Sequence, residues 1–138
     1  MGNLILDTGP AVALISQDDQ DHEACARFFK DFDGRLFSTE PVLTEAVYLL
    51  SRLDHKKKCL QLFANSAQLV PSSVESLGRI ENLMDKYQDT PMDFADATLV
   101  ALAEELVCGE IFTLDRRGFE TYRWGRNRTF KIYPESRS

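Results

Sequence analysis

The chain has 138 residues, 43% of them hydrophobic, and a net charge of −6. That length suits one domain with a buried core, and the charge argues against coating nucleic acid by bulk electrostatics, while leaving room for a local basic strip beside an acidic pocket. No apolar run approaches the ~20 residues of a membrane span, and the N-terminus lacks the basic flank and long apolar stretch of a secretion signal, so a cytoplasmic protein of one domain, 1–138, is expected.

Asn3 to Asp7 predicts a short buried strand. Pro10 to about Ser16 predicts a helix opened by Gly9-Pro10, and Asp21 to about Phe32 a second, with Ala24, Phe28, Phe29 and Phe32 on one face. Arg35 to Ser38 follows as a strand. Thr39 is placed to cap the next helix, with Pro41 in its first turn, running to about Leu53. A helix from about His55 to Asn65 turns Leu60 and Phe63 inward. Gln68 to Val70 is a very short strand ending at Pro71. Ser73 then caps a helix from about Val74 to Tyr87, carrying Leu77, Ile80, Leu83 and Met84. Asp93 to Val107 gives the clearest helical pattern, apolar at Ala95, Leu99, Leu102 and Leu106 and closed by Gly109. Glu110 to Leu114 and Phe130 to Tyr133 complete five strands. Short apolar strands separated by helices predict an α/β fold, a three-layer α/β/α sandwich around a central, mainly parallel five-stranded sheet.

Gly2 is followed by Leu6 rather than the Ser or Thr of a myristoylation motif. Cys25, Cys59 and Cys108 are odd in number and contain no CxxC pair, which points to buried small hydrophobes rather than disulfides or zinc ligands.

Ligand sites of open parallel sheets form outside the carboxyl ends of the strands. Asp7 ends the first strand and Asp115 follows the fourth; Glu45 lies about a turn into the helix after the second. Asp93 and Asp96, three apart, open the long helix on one side. Grouped carboxylates raise each other's pKa, so they call for a hard divalent cation such as Mg²⁺ or Mn²⁺. The histidines, His22 and His55, have no partner at ligand spacing. Taken singly, each acid has a plainer reading: Asp93 as a helix cap, Glu45 as a solvated helix residue, Asp115 as a turn former.

Leu-Ile-Leu-Asp7-Thr8, Glu45, Asp93-Phe-Ala-Asp96-Ala and Phe-Thr113-Leu-Asp115-Arg-Arg-Gly-Phe, in this order and spacing from about Asn3 to Tyr133, resemble the PIN domain. The resemblance implies a PIN-like fold in which Asp7, Glu45, Asp96 and Asp115 are the catalytic acids. Asp93 would be an auxiliary metal-site acid and Thr113 a support for the site. Thr8 is a second candidate support, with core capping an equal alternative. The small size is similar to that of the VapC toxins, which implies a Mg²⁺- or Mn²⁺-dependent endoribonuclease acting on tRNA or rRNA. It further implies a homodimer and a VapB-like antitoxin partner. In the expected mechanism Asp7, Asp96 and Asp115 hold one ion, and Glu45 with Asp93 holds a second or orients the attacking water.

From Arg116 to Lys131 six basic residues face one acid, Glu120, with Phe119, Tyr122 and Trp124 interleaved. Arg116, Arg117, Arg123 and Arg126 are therefore candidate RNA contacts beside the metal site, with the aromatics available to stack on bases. The plainer reading is a solvated loop whose aromatics pack on the core. Lys56-Lys57-Lys58 reads first as an exposed helix face. Val42, Val47, Tyr48, Leu49, Leu50, Leu60, Leu62 and Phe63 exceed what one buried stripe needs; core packing is the first reading for most of them, and a dimer or antitoxin groove would use the surplus. Three other readings compete. A phosphoacceptor signalling domain fits poorly, since Asp7 stands alone. A PIN-fold binding module without catalysis leaves the acids unexplained. A DNA-cutting or rRNA-processing PIN nuclease stays open, although the short single-domain chain favours a toxin.

Overall fold

The computed structural model describes residues 2–135; the remaining positions of the expected 1–138 domain lie outside the described residues. Five strands, β1 (Asn3–Leu6), β2 (Arg35–Ser38), β3 (Ala67–Leu69), β4 (Glu110–Phe112) and β5 (Lys131–Tyr133), form one sheet in the order β3-β2-β1-β4-β5. Every neighbouring pair is parallel. In central β1, Leu4, Ile5 and Leu6 are all buried. Successive strand residues point to opposite faces, so both faces of the sheet are covered.

Among the described residues seven helices supply that cover: α1 (Thr8–Ile15), α2 (His22–Asp31), α3 (Glu40–Leu49), α4 (Leu53–Ser66), α5 (Val74–Lys86), α6 (Phe94–Leu106) and α7 (Arg116–Thr121). The expected α/β sandwich around a parallel five-stranded sheet is the fold observed. The chain first steps outward from β1 through β2 to β3, then returns to the other side of β1 for β4 and β5. The reversal leaves a crevice between the carboxyl ends of β1 and β4, where ligands of doubly wound sheets bind. No helix among the described residues is long and apolar enough to cross a membrane.

Several local expectations are corrected. The first helix starts at Thr8, with Asp7 as its N-cap, because the Asp7 carboxylate accepts from the Thr8 N–H. Thr39 occupies the N-cap of α3 but makes no side-chain cap; its hydroxyl pairs with that of Thr98 on α6 at 2.8 Å. In α4 the inward residues are Cys59 and Phe63, while Leu60 is 49% exposed. In α5 they are Ile80 and Leu83, leaving Leu77 and Met84 at the surface. The end of α6 is turned by Val107 in the left-handed region (φ 50°), not by Gly109. Gly109 serves packing: a Cβ there would overlap the Trp124 indole. The cysteines are buried free thiols, as expected. α7 was not foreseen, since Arg116 to Thr121 carries too few apolar residues to show a helical period.

Candidate active site

Because all strands run the same way, the residues that follow them share one edge of the sheet. Asp7 follows β1, and its backbone N–H donates to the Phe112 carbonyl of β4 at 2.9 Å. Thr113 to Asp115 follow β4. The start of α6 is pinned to the same edge by the Thr39–Thr98 hydroxyl pair, since Thr39 directly follows β2. Glu45, in α3, is drawn in from the side.

One continuous hydrogen-bond network joins three of the acids. The Thr8 hydroxyl donates to Glu45 Oε1 at 2.9 Å, and the Thr8 N–H donates to Asp7 Oδ1 at 2.8 Å. The Thr113 hydroxyl donates to Asp7 Oδ2 at 2.7 Å and accepts from the Asp115 N–H at 3.0 Å. Asp115 Oδ1 accepts from the Gly118 N–H at 3.1 Å, which makes Asp115 the N-cap of α7. Thr8 and Thr113 are thus the two hinges that orient the acids. Asp93 and Asp96 form a separate reciprocal pair at the N-terminus of α6. Asp93 Oδ1 accepts from the Asp96 N–H at 2.8 Å, and Asp96 Oδ2 accepts from the Asp93 N–H at 3.2 Å. Asp93 is therefore a helix cap, as its plainer reading held. The cap also fixes Asp96.

The electrostatics tie the two groups together. Burial pushes the Asp7 carboxyl up to about 6; the bonds from Thr113 and Thr8 oppose the shift, and the charges of Asp115 and Asp93 add to it. Burial, then the charges of Asp93 and Asp7, hold Asp96 well above the usual carboxylate range. Glu45 is raised as well, by burial first and then by Asp93 and Asp7, against the Thr8 bond. Each acid thus feels acids from the other elements, and the cluster is short of positive charge.

Among the described residues, no three His, Cys, Asp or Glu side chains form a ready-made cage for an ion. The reason is visible in the hydrogen bonds: Asp115 is turned onto Gly118, and Asp93 and Asp96 face one another's backbone. The donors are still all carboxylate oxygens, the set a hard cation takes. Mg²⁺ needs only one or two carboxylates and keeps several waters. The residues therefore fit Mg²⁺ or Mn²⁺ better than zinc.

Gly118 was not singled out from sequence. A Cβ at 118 would overlap Asp115 Oδ2, so glycine makes room for the carboxylate in its capping pose. The signal was an aspartate three residues before it, the spacing of an N-cap and the third helical position.

The basic strip is rearranged relative to expectation. Phe119 and Tyr122 are 0% exposed and Trp124 is 7% exposed, so the aromatics pack in the core and do not stack on bases. Arg116 donates to the Pro134 carbonyl, and Arg123 donates to the carbonyls of Glu120, Thr121 and Tyr122, which ends α7. Arg117 stays exposed two residues from Asp115. Arg126 is not beside the acids. Its turn packs through Trp124 on Gly109, at the opposite, amino end of β4. Lys56 donates to the Val47 carbonyl and ties α4 to α3. Tyr48, Leu49 and Leu60 from the apolar surplus are exposed, joined by Leu53.

The PIN domain family profile matches residues 4–125. The chain belongs to the PIN domain family. It is 27% identical over 135 residues to ribonuclease VapC26 of Mycobacterium tuberculosis, covering 95% of this chain and 100% of that protein. Among solved structures it resembles VapC20 of M. tuberculosis, described as a sarcin-ricin loop cleaving toxin. The TM-score is 0.72 at 16% identity, over 82% of this chain and 90% of the other. It also resembles VapBC2 of Rickettsia felis, solved with a fragment of promoter DNA. There the TM-score is 0.67 at 12% identity, over 95% and 98% of the two chains. At such identities these two likenesses establish the PIN fold.

Proposed function

We propose that this PIN domain is a divalent-metal-dependent endoribonuclease of the VapC kind, a toxin that cuts tRNA or rRNA and is restrained by a VapB-like antitoxin in the cytoplasm. The carrying observation is the hydrogen-bond network that holds Glu45, Asp7 and Asp115 around the β1–β4 crevice, with Asp96 raised in pKa by the same charges. The likeness to ribonuclease VapC26 along nearly the whole chain supports the choice of RNA as substrate. The exposed apolar side chains of α3 and α4 support a protein partner, a second copy or the antitoxin.

Asp7, Asp96 and Asp115, with Glu45 and Asp93 beside them, would hold Mg²⁺ or Mn²⁺. Such a cation supplies a water of lowered pKa and charge neutralisation at phosphorus. The chain's own residues set the stage for in-line hydrolysis of a phosphodiester. Thr8 and Thr113 hold the Asp7 carboxylate by both oxygens, so it presents a fixed negative edge. Glu45, held by Thr8 through Oε1 and lying against the Asp93 carboxyl, would accept a proton from an attacking water. Arg117 is placed to meet a substrate phosphate beside Asp115.

The test is to express the chain alone in cells beside Asp7→Asn, and to incubate the purified chain with total RNA in Mg²⁺, Mn²⁺ or EDTA. Growth arrest and RNA cleavage that both need Asp7 and the cation support the reading. Cleavage undiminished in Asp7→Asn and Asp96→Asn, or no cleavage of RNA in either cation, overturns it.

A further inference from the structure

One strongly basic feature lies outside the site. After α7 the chain makes a tight turn over residues 125–128, and Arg126, Asn127, Arg128 and Thr129 are all exposed. The turn is held rigidly. Trp124 and Arg128 exchange both backbone hydrogen bonds, at 3.0 and 2.9 Å, and the Trp124 indole N–H donates to the Thr129 carbonyl at 3.1 Å. Gly125 and Asn127 supply the left-handed residues (φ 58° and 59°) that close it. The Gly125 N–H donates to Glu104 Oε2 at 2.8 Å, anchoring the turn to the end of α6.

Glu104 does not neutralise the turn, because Arg79 already takes both its oxygens at 2.9 and 2.8 Å. Arg128 lies over the Trp124 ring at 5.2 Å, and Arg126 has no hydrogen-bond or ion-pair partner among the described residues. Exposed Lys131 follows close behind. In a chain of net charge −6, Arg126 and Arg128 thus stand on a fixed turn, with Lys131 behind them over the Tyr133 ring and near Glu110 and Glu135.

We propose that this turn is a second contact for the RNA backbone, remote from the acids; the inference rests on the ribonuclease reading. The ligand is phosphate rather than base, since the neighbouring aromatics are buried and guanidinium forks match phosphate oxygens. Asp96 and Glu104 mark the two ends of the gap. They are eight residues apart on α6, about 12 Å at the helical rise. An RNA gripped at the acids must therefore extend at least ~12 Å along α6 to reach the end where the Arg126 turn is anchored. The turn selects long or folded RNA over short fragments, and attracts it to an otherwise anionic protein.

The test measures binding of fluorescently labelled, unfractionated tRNA to the full chain in EDTA, across a series of salt concentrations. Wild type is compared with Arg126→Glu, Arg126→Ala/Arg128→Ala, and Lys57→Glu. Lys57 is exposed on α4, against the β3 edge, and serves as an equal charge change on the far side. Arg126→Glu should loosen tRNA about 10-fold and make the slope of log Kd against log salt shallower by about one. A dinucleotide, too short to cover that gap, should bind all variants alike. Equal loosening by Lys57→Glu, or no change on Arg126→Glu in a protein that still cuts RNA, overturns the remote contact and leaves the ribonuclease reading standing. A wild-type chain that neither binds tRNA nor cuts RNA overturns both.

Discussion

The Thr113 hydroxyl donates to Asp7 Oδ2 at 2.7 Å, joining residues 106 positions apart in the sequence. The Thr113 hydroxyl oxygen in turn accepts from the Asp115 N–H. Thr113→Val keeps the shape and leaves both groups unpaired, which costs about 1–3 kcal/mol. RNA cleavage should fall about 10-fold or more, whereas Thr113→Ser should retain most of it. Initial cleavage rates and melting curves of the two variants check this; equal rates for Val and Ser would show that the hydroxyl orients nothing.

Removing an acid should separate activity from stability. Asp96 is held in an environment that disfavours its charge, chiefly by burial and then by Asp93 and Asp7. Asp96→Asn is therefore expected to abolish cleavage and, at pH 7.5 without divalent cations, to raise stability by about 1 kcal/mol. Thermal melting in EDTA gives the sign directly, and a marked loss of stability would contradict the crowding of charge inferred at this edge.

The pH dependence follows from the same shifts. Asp7, Asp96 and Glu45 have folded pKa values above their unfolded ones, so the folded state binds more protons than the unfolded state between the two values. The contribution of these three groups to stability is then highest below the ordinary carboxylate range near 4 and declines as pH rises through about 6 for Asp7 and further for Asp96. Mg²⁺ or Mn²⁺ should reverse the decline at pH 7.5, raising the melting temperature by several degrees, and do little at pH 4.5. Melting curves over that range, with and without cation, would refute the site if the cation effect were independent of pH.

Gly109→Ala probes the opposite end of the sheet. A Cβ there meets the Trp124 indole, which is wedged over the start of β4. Overpacking of this kind costs about 1–3 kcal/mol. Denaturant unfolding should show the loss, with near-UV circular dichroism reporting a displaced tryptophan, the only one in the chain.

The fold was legible because its strands are short apolar runs flanked by turn residues, and Asp93-Phe-Ala-Asp96 carries an evident cap. The acids were legible because strand ends in a parallel sheet coincide with chain positions just past those runs. What escaped the sequence was direction. Arg116 to Lys131 is contiguous with Asp115, yet α7 carries the chain back down the sheet, so Trp124 and Arg126 lie at the end away from the acids. Leu60 was misassigned by one position on α4, where Cys59 and Phe63 share the buried face. A thiol is a weak cue for burial beside a leucine. Gly118 stayed unremarked because a missing side chain leaves no periodic trace.

The pairing of β1 with β4 has a bearing on synthesis. Asp7 is made well before Asp115, and the strands that bring them together are adjacent in the sheet but some hundred residues apart in the chain. Such a contact forms only after its loop has closed. A half-translated chain carries Asp7 and Glu45 but no Thr113 to orient the former and no Asp115 beside it. The candidate centre is thus completed only once the chain has been made through Asp115, so any shorter translation product lacks the full set of acids.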